Sequence, residues 1–215
     1  MMKSYIIEAK SIRNKEELNK IPKNMPGFYK WWAPVESLEV LLNSKYISKE
    51  YLDEIKPKLT KKKINNQEYY YIYVGVAIKE SIHDRLNWHV NQHHTESSVT
   101  SGFLSTLRQS LSSLVVGDQY NEIETNKFID TLIIEYYPVD LPIKSSEASN
   151  YISSIEINEL NKNTIPINLK DNNNSYLADY LKELKRARKN SKWPQKKNIL
   201  KFFFLLIFFI DYFIK

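Results

Sequence analysis

Residues 68–77, EYYYIYVGVA, decide the fold when they are set beside residues 27–33, GFYKWWA. Both runs are rich in tyrosine, tryptophan and β-branched residues, the types that suit a pleated, half-buried surface. Each run also holds a glycine, and the chain has only 4 glycines in all. Glycine weakens a strand interior, so there it marks a bulge or a close backbone approach. A tyrosine stands near each one, in Gly27-Phe28-Tyr29 and in Tyr73-Val74-Gly75. Two such strands side by side would bring two phenols to one patch. Two ordinary strands with edge tyrosines are the plainer reading, and the rest of the chain has to choose.

Working outward, Pro22 and Pro26 break the chain before the first strand, and Pro34 ends it. Residues 35–68 carry a short apolar segment (Leu38, Val40, Leu41, Leu42) and then a lysine-rich stretch, and they read as an insertion between the two strands. Residues 81–94 and 103–116 have helical periodicity, with Ile82 and Leu86 on the stripe of the first and Phe103, Leu104, Leu107, Leu111 and Leu114 on that of the second. Residues 128–137 read as a third strand. Ser145 or Ser146 caps a helix running to about residue 161, and residues 176–189 form a polar, basic helix. The order predicts an α+β domain with a small, mostly antiparallel three-stranded β-sheet flanked by helices.

At 215 residues, 42% of them hydrophobic, the chain is long enough to bury one sizeable core. It has no cysteine, which excludes disulfides, thiolate metal sites and cysteine nucleophiles. The first 20 residues are charged throughout and lack the apolar core of a signal peptide, so a cytoplasmic protein is expected. There are 31 Lys plus Arg against 25 Asp plus Glu, a net charge of +6. The excess is clustered, first at Lys56, Lys58, Lys61, Lys62 and Lys63, then from Lys182 through Lys185, Arg186 and Arg188 to Lys197. Such clusters suit nucleic acid or an anionic membrane, or they form a solvated surface.

The groups suited to chemistry follow the second strand. Arg85 and His89 are four apart and share a helical face. A guanidinium near two phenols makes a phosphate-binding corner, because arginine stays charged and clamps phosphate with two N–H bonds. His89 is the right type to take or relay a proton near neutral pH. In the later helix, Glu156 lies between Ile152 and Leu160, close to the apolar stripe, where a carboxylate is unusual unless it serves a charge or a metal. One carboxylate, phosphate oxygens and waters suffice for a magnesium site. Asn168 follows 12 residues later, just past Pro166.

This ordered series resembles the GIY-YIG nuclease family. Gly27-Phe28-Tyr29 stands where that family has GIY, and Tyr73-Val74-Gly75 where it has YIG. Arg85, then His89 as in restriction-enzyme-like members, then Glu156 and Asn168 complete the pattern over about residues 26–170. One departure is the gap of about 43 residues between the tripeptides, which are closer together in the family; the insertion and its lysines then become candidates for substrate contact. The resemblance implies a DNA endonuclease with one Mg²⁺ or Mn²⁺ ion on Glu156, with Glu159 as the lesser candidate. It implies Tyr29 or His89 as the group that activates water, Arg85 against transition-state charge, Tyr73 as a positioning group and Asn168 as support. Gly27 and Gly75 are the motif's structural glycines. Lys56, Lys58, Lys61, Lys62, Lys63, Lys185, Arg186 and Arg188 are expected to meet DNA.

The expected organisation is a lead-in at residues 1–25, a nuclease domain at 26–175 with its insertion at about 34–68, a basic helix at 176–198 and a hydrophobic tail at 199–215. The tail's apolar run, FFFLLIFFI at 202–210, is 9 residues long, short of the about 20 that span a bilayer. No obligate membrane partner is expected, and self-association is left open. The rival readings are a nucleic-acid-binding module of the same fold without activity, a membrane-associated interaction protein using the tail, and a metal protein using His83, His89, His93 and His94, which lack an HExxH pattern.

Overall fold

The computed structural model describes residues 2–42 and 49–192. The hydrophobic run at 202–210 lies outside the described residues. Among those described, no helix is long and apolar enough to cross a membrane.

The chain opens with strand β1 (Tyr5–Glu8), a 3₁₀ turn and helix α1 (Lys15–Leu18), then β2 (Gly27–Pro34), α2 (Val35–Leu42) and α3 (Lys49–Ile55). A hairpin of β3 (Lys61–Ile64) and β4 (Gln67–Ala77) follows, then α4 (Ile82–Asn91), α5 (Glu96–Thr100), α6 (Thr106–Leu111) with a π turn to Val116, and α7 (Glu122–Ile129). Strand β5 (Ile133–Pro138), α8 (Ser146–Lys162) and α9 (Ala178–Ser191) complete the fold. All strand pairs are antiparallel, in the order β1-β5-β2-β4-β3.

The α+β class agrees with expectation, but among the described residues the sheet has five strands, not three. Both extra strands lie at the edges. β1 is only 4 residues long and mostly exposed, so it lacks the buried alternation that announces a strand. β3 is the lysine run KKKI, whose charges are typical of a protected edge. Its register comes from the turn: Asn65 and Asn66 both have positive φ, 48° and 65°, as a two-residue hairpin turn of the primed kind requires. A third correction concerns Phe128. It lies in α7, not in a strand, because Asn121 caps a helix by accepting from the Glu124 N–H, and β5 starts only at Ile133.

The insertion is therefore part of the sheet. β3 pairs with residues 67–70 of β4, and the rest of that edge is closed by Thr60, just before β3, and by the chain after α8. Thr60 C=O accepts from Tyr71 N–H at 2.8 Å, and Ile72 C=O from Ile167 N–H at 3.0 Å. A bulge shifts the β2–β4 register between Trp31, opposite Tyr73, and Trp32, opposite Tyr71. Consequently Ile72 and Tyr73 both enter the core on one side of the sheet, beside Tyr29 and Trp31, while Tyr71 enters the other with Trp32. Bulges re-aim side chains in this way. The first core includes Leu86 and Val90 of α4, Leu107 and Leu111 of α6, and Tyr180 and Leu184 of α9. Helix α8 serves the opposite face, with Ala148 and Ile152 against Phe28, and Leu160 in the cluster of Trp32.

One buried arginine knits the helices of the first side. Arg108 of α6 is fully buried. It donates to His94 Nε2 at 2.7 Å, to the His89 and Val90 carbonyls at 3.0 Å each, and to Asn126 Oδ1 at 2.6 Å. It thus holds the end of α4, where His89 sits. Burial and then the Arg108 charge push His94 down to about 4. An unfolded histidine takes its proton at about 6.5, so His94 withdraws stability as pH falls from about 6.5 towards 4. Arg108→Ala strands three acceptors, since the Val90 carbonyl keeps its bond from Arg13 Nη1 at 3.0 Å, and each is worth about 1–3 kcal/mol when left unpaired. We expect a loss on the order of 3 kcal/mol or more in urea unfolding at pH 7. Arg108→Lys should not rescue it, since an ammonium lacks the planar fork. An unchanged urea midpoint would show that water replaces the guanidinium.

Candidate active site

Tyr29 and Gly75 are directly paired across β2 and β4. A Cβ on Gly75 would stand 2.5 Å from Tyr29 Cζ and 2.7 Å from Cε2, so the Tyr29 ring lies on the bare backbone of Gly75. A Cβ on Gly27 would meet the Tyr137 carbonyl and Ile82 Cδ1. Both glycines are therefore needed for close approach, not for backbone freedom. Tyr29 is 1% exposed and cannot swing away. Gly75→Ala should cost about 1–3 kcal/mol by overpacking and, by shifting the phenol, reduce any activity that depends on it about a hundredfold. Urea titration and rate measurement on the same sample test this; wild-type values for both would refute it.

Helix α4 begins directly after β4. Ser81 Oγ accepts from the Asp84 N–H at 3.0 Å as its cap, and Ile82 N–H bonds the Met25 carbonyl at 2.9 Å. This places Arg85 and His89 against the two tyrosines. Tyr29 Oη lies 2.6 Å from His89 Nε2, while His89 Nδ1 is buried without a partner among the described residues. Tyr73 Oη lies 2.9 Å from Thr106 Oγ1. Arg85 Nε is 2.7 Å from Glu80 Oε1, and its guanidinium lies over the Trp88 ring, 4.9 Å from the centroid.

The Asn168 amide is a clamp. Its Oδ1 accepts from Val74 N–H at 2.9 Å and its Nδ2 donates to Val74 C=O at 2.8 Å. Both polar groups of the YVG centre are satisfied there, and the chain after α8 is fixed along the strand edge. The side chain is thereby spent on the backbone. Glu156, on α8, takes no hydrogen bond or ion pair among the described residues. Glu159 is different: it is bound by Lys30 Nζ at 2.8 Å and by Asn163.

Tyr29, Tyr73, Arg85, His89, Glu156 and Asn168 all line one open pocket of about 370 Å³. Trp88, Thr106, Lys170, Asp171 and Arg188 line it as well, and of these only Arg188 was anticipated, as a DNA contact. Nothing in helical or strand periodicity points to Lys170 or Asp171; Asp171 sits in a loop with φ of 58°. The insertion lysines do not line the pocket. Lys56, Lys58, Lys61 and Lys62 are paired with Glu39, Glu54, Glu68 and Glu135. Lys63 and Lys185 are exposed, and Arg186 faces Glu183 at 3.5 Å.

Burial dominates the protonation states. It pushes the Tyr29 phenol well above 10, with neighbouring Tyr73 adding and Arg85 opposing. It pushes His89 well below 6.5, helped by the charges of Arg85 and Arg108. At neutral pH the Tyr29 phenol therefore keeps its proton beside a neutral His89 imidazole. Burial also raises the Glu156 carboxyl; Lys170 opposes this and Asp171 adds to it. An unpaired carboxylate held up in this way fits a hard divalent cation that keeps most of its waters. Among the described residues there is no group of three acidic or histidine side chains that could hold a metal ion.

A family model described as the GIY-YIG catalytic domain matches residues 27–190. No curated protein and no solved structure matches the chain.

Proposed function

The chain belongs to the GIY-YIG catalytic domain family, a family of nucleases, and on that premise we propose that it is a metal-dependent DNA endonuclease. One observation carries the reading. Two phenols, a guanidinium, an imidazole and an unpaired carboxylate, drawn from β2, β4, α4 and α8, line a single pocket. That is the equipment of phosphodiester hydrolysis. The position of His89, four residues after Arg85, favours the restriction-enzyme-like branch.

Glu156 is the group that would hold one Mg²⁺ or Mn²⁺. The chemistry such an ion supplies is charge neutralisation at the phosphate and at the departing 3′ oxygen. The chain's own groups do the rest. Arg85 leaves Glu80 in part to meet the phosphate and stabilises the extra negative charge of the transition state. Tyr29 accepts a water proton as its own passes to His89 Nε2, so no free phenolate has to exist in the buried site. Tyr73, fixed by Thr106, orients the water or the phosphate. Asn168 keeps the Val74 backbone, and with it Gly75, in place beneath Tyr29.

The test is incubation with supercoiled plasmid and Mg²⁺ or Mn²⁺ at low and moderate salt. Nicked or linear product is expected, absent with EDTA. Folded protein that cuts under none of these conditions would sink the proposal, and salt-dependent binding without cutting would favour an inactive DNA-binding module.

A further inference from the structure

Phe103 is the most exposed large apolar side chain among the described residues, at 73%. Single exposed apolar residues are ordinary, but the loop around this one is built. Gly102 has φ of 79°, a conformation natural to glycine. Gln92 Nε2 donates to the Phe103 carbonyl at 2.8 Å, and Gln92 Oε1 accepts from the Ser105 N–H at 2.8 Å. Leu104 N–H reaches the Ser98 carbonyl at 2.8 Å. On the other side Gln109, 5% exposed, donates to the Gly102 carbonyl at 3.4 Å and to the Leu104 carbonyl. The same amide accepts from Arg188 Nη2 through its Oε1. The loop that displays Phe103 is thereby tied to a pocket-lining arginine.

Gly102, Leu104 and Arg188 all border the pocket. Lys192 adds a second cation, its Nζ 3.9 Å from where a Cβ on Gly102 would stand. Arg188 on the last turn of α9 and Lys192, its C-cap in helical conformation, are four apart, a spacing that on a helix sets Cβ atoms about 5–6 Å apart. An exposed aromatic ring on a hydrogen-bonded loop, between two residues that border a pocket read as a phosphodiesterase site and with two cations close to that loop, matches the pattern by which single-stranded nucleic acid is held: charge along the backbone, a ring under a base.

We propose that Phe103, Arg188 and Lys192 form a strand-binding rim in which Phe103 stacks on a nucleobase next to the cleaved linkage and the two cations take neighbouring phosphates. The base must be unstacked on one side, so the substrate is open or opened at that step. This rests on the nuclease reading and assigns the site a preference that reading does not contain.

The experiment uses the full chain with EDTA, so that cutting cannot interfere, and fluorescein-labelled single-stranded and duplex oligonucleotides read by anisotropy. Phe103→Ala should weaken single-strand binding about fivefold to a hundredfold, Phe103→Tyr should bind as wild type, and Phe103→Leu should behave like Ala, because a π face is needed. Lys192→Ala should reduce the slope of log K against log salt by about 0.7. With 2-aminopurine walked along the strand, wild type should show a fluorescence change at one or two positions, lost in Phe103→Ala. Equal binding by Phe103→Ala and wild type overturns the rim, even if plasmid is cut and the nuclease reading stands. Wild-type protein that neither binds nor cuts nucleic acid overturns both.

Discussion

Glu156→Gln is expected to give a folded protein with a higher melting temperature than wild type and cleavage reduced about a thousandfold or more. Removing merely the partner of a metal ligand costs 10–100-fold, and Glu156 is the carboxylate to which the ion is assigned. The stability change runs the other way. Burial raises the Glu156 carboxyl above its ordinary range. For a carboxyl, a folded pKa above the unfolded one means that ionisation destabilises the fold. The folded-state advantage exists at low pH and is lost as pH rises through the raised value. At neutral pH the native protein carries that cost, and a neutral amide of the same shape removes it. Wild-type activity should accordingly fall on the acid side at a pH above the usual carboxylate range, as protons compete with the ion. Binding of Mn²⁺, followed by calorimetry, should weaken in the variant independently of turnover. Glu156→Gln that is less stable than wild type would indicate a structural hydrogen bond in place of a held-open carboxylate. Undiminished cutting would remove Glu156 from the mechanism.

Local signals made the centre of this site readable. Gly27, Tyr29, Tyr73 and Gly75 sit in β-prone runs whose glycines needed a reason, and the Tyr29 ring lying on Gly75 supplies it. Arg85 and His89 share one helical face, and Ser145 announces α8 by its cap. What stayed hidden depends on three-dimensional partners. Arg108 is indistinguishable by type from a surface arginine of a short helix, and only the acceptors gathered from residues 89, 90, 94 and 126 bury it. The lysines of the insertion suggested a DNA surface because their counterions Glu39, Glu68 and Glu135 are remote in sequence or on other strands. The bulge at Ile72 breaks the alternation of YYYIYVG, so no period could say that Tyr71 and Tyr73 serve opposite cores. Arg188 was grouped with a basic face, yet the amphipathic twist of α9 turns it inward, beside Tyr73.

Tyr29→Phe is the variant that separates a proton relay from a tyrosinate. The ring still fills the space over Gly75, so packing is retained, and the only loss is the hydroxyl bonded to His89 Nε2. If Tyr29 takes the water proton while handing its own to His89, cleavage should drop about 10²–10⁴-fold, the usual worth of a positioned acid–base group. His89→Gln should lose about as much, and the double variant little more, because groups that act as one unit are not additive. The pH profile provides the second arm. A phenol pushed well above 10 that worked as a free base would give a rate still climbing at pH 9–10. The relay instead gives a plateau through neutral pH. His89, held well below 6.5 by burial, stays a proton acceptor past the point where an exposed histidine would be charged, so its loss adds to the acid limb only below that range. A rate that rises tenfold per pH unit up to pH 10, or Tyr29→Phe within a few-fold of wild type, would rule the relay out and leave His89 with only the task of holding the ring in place.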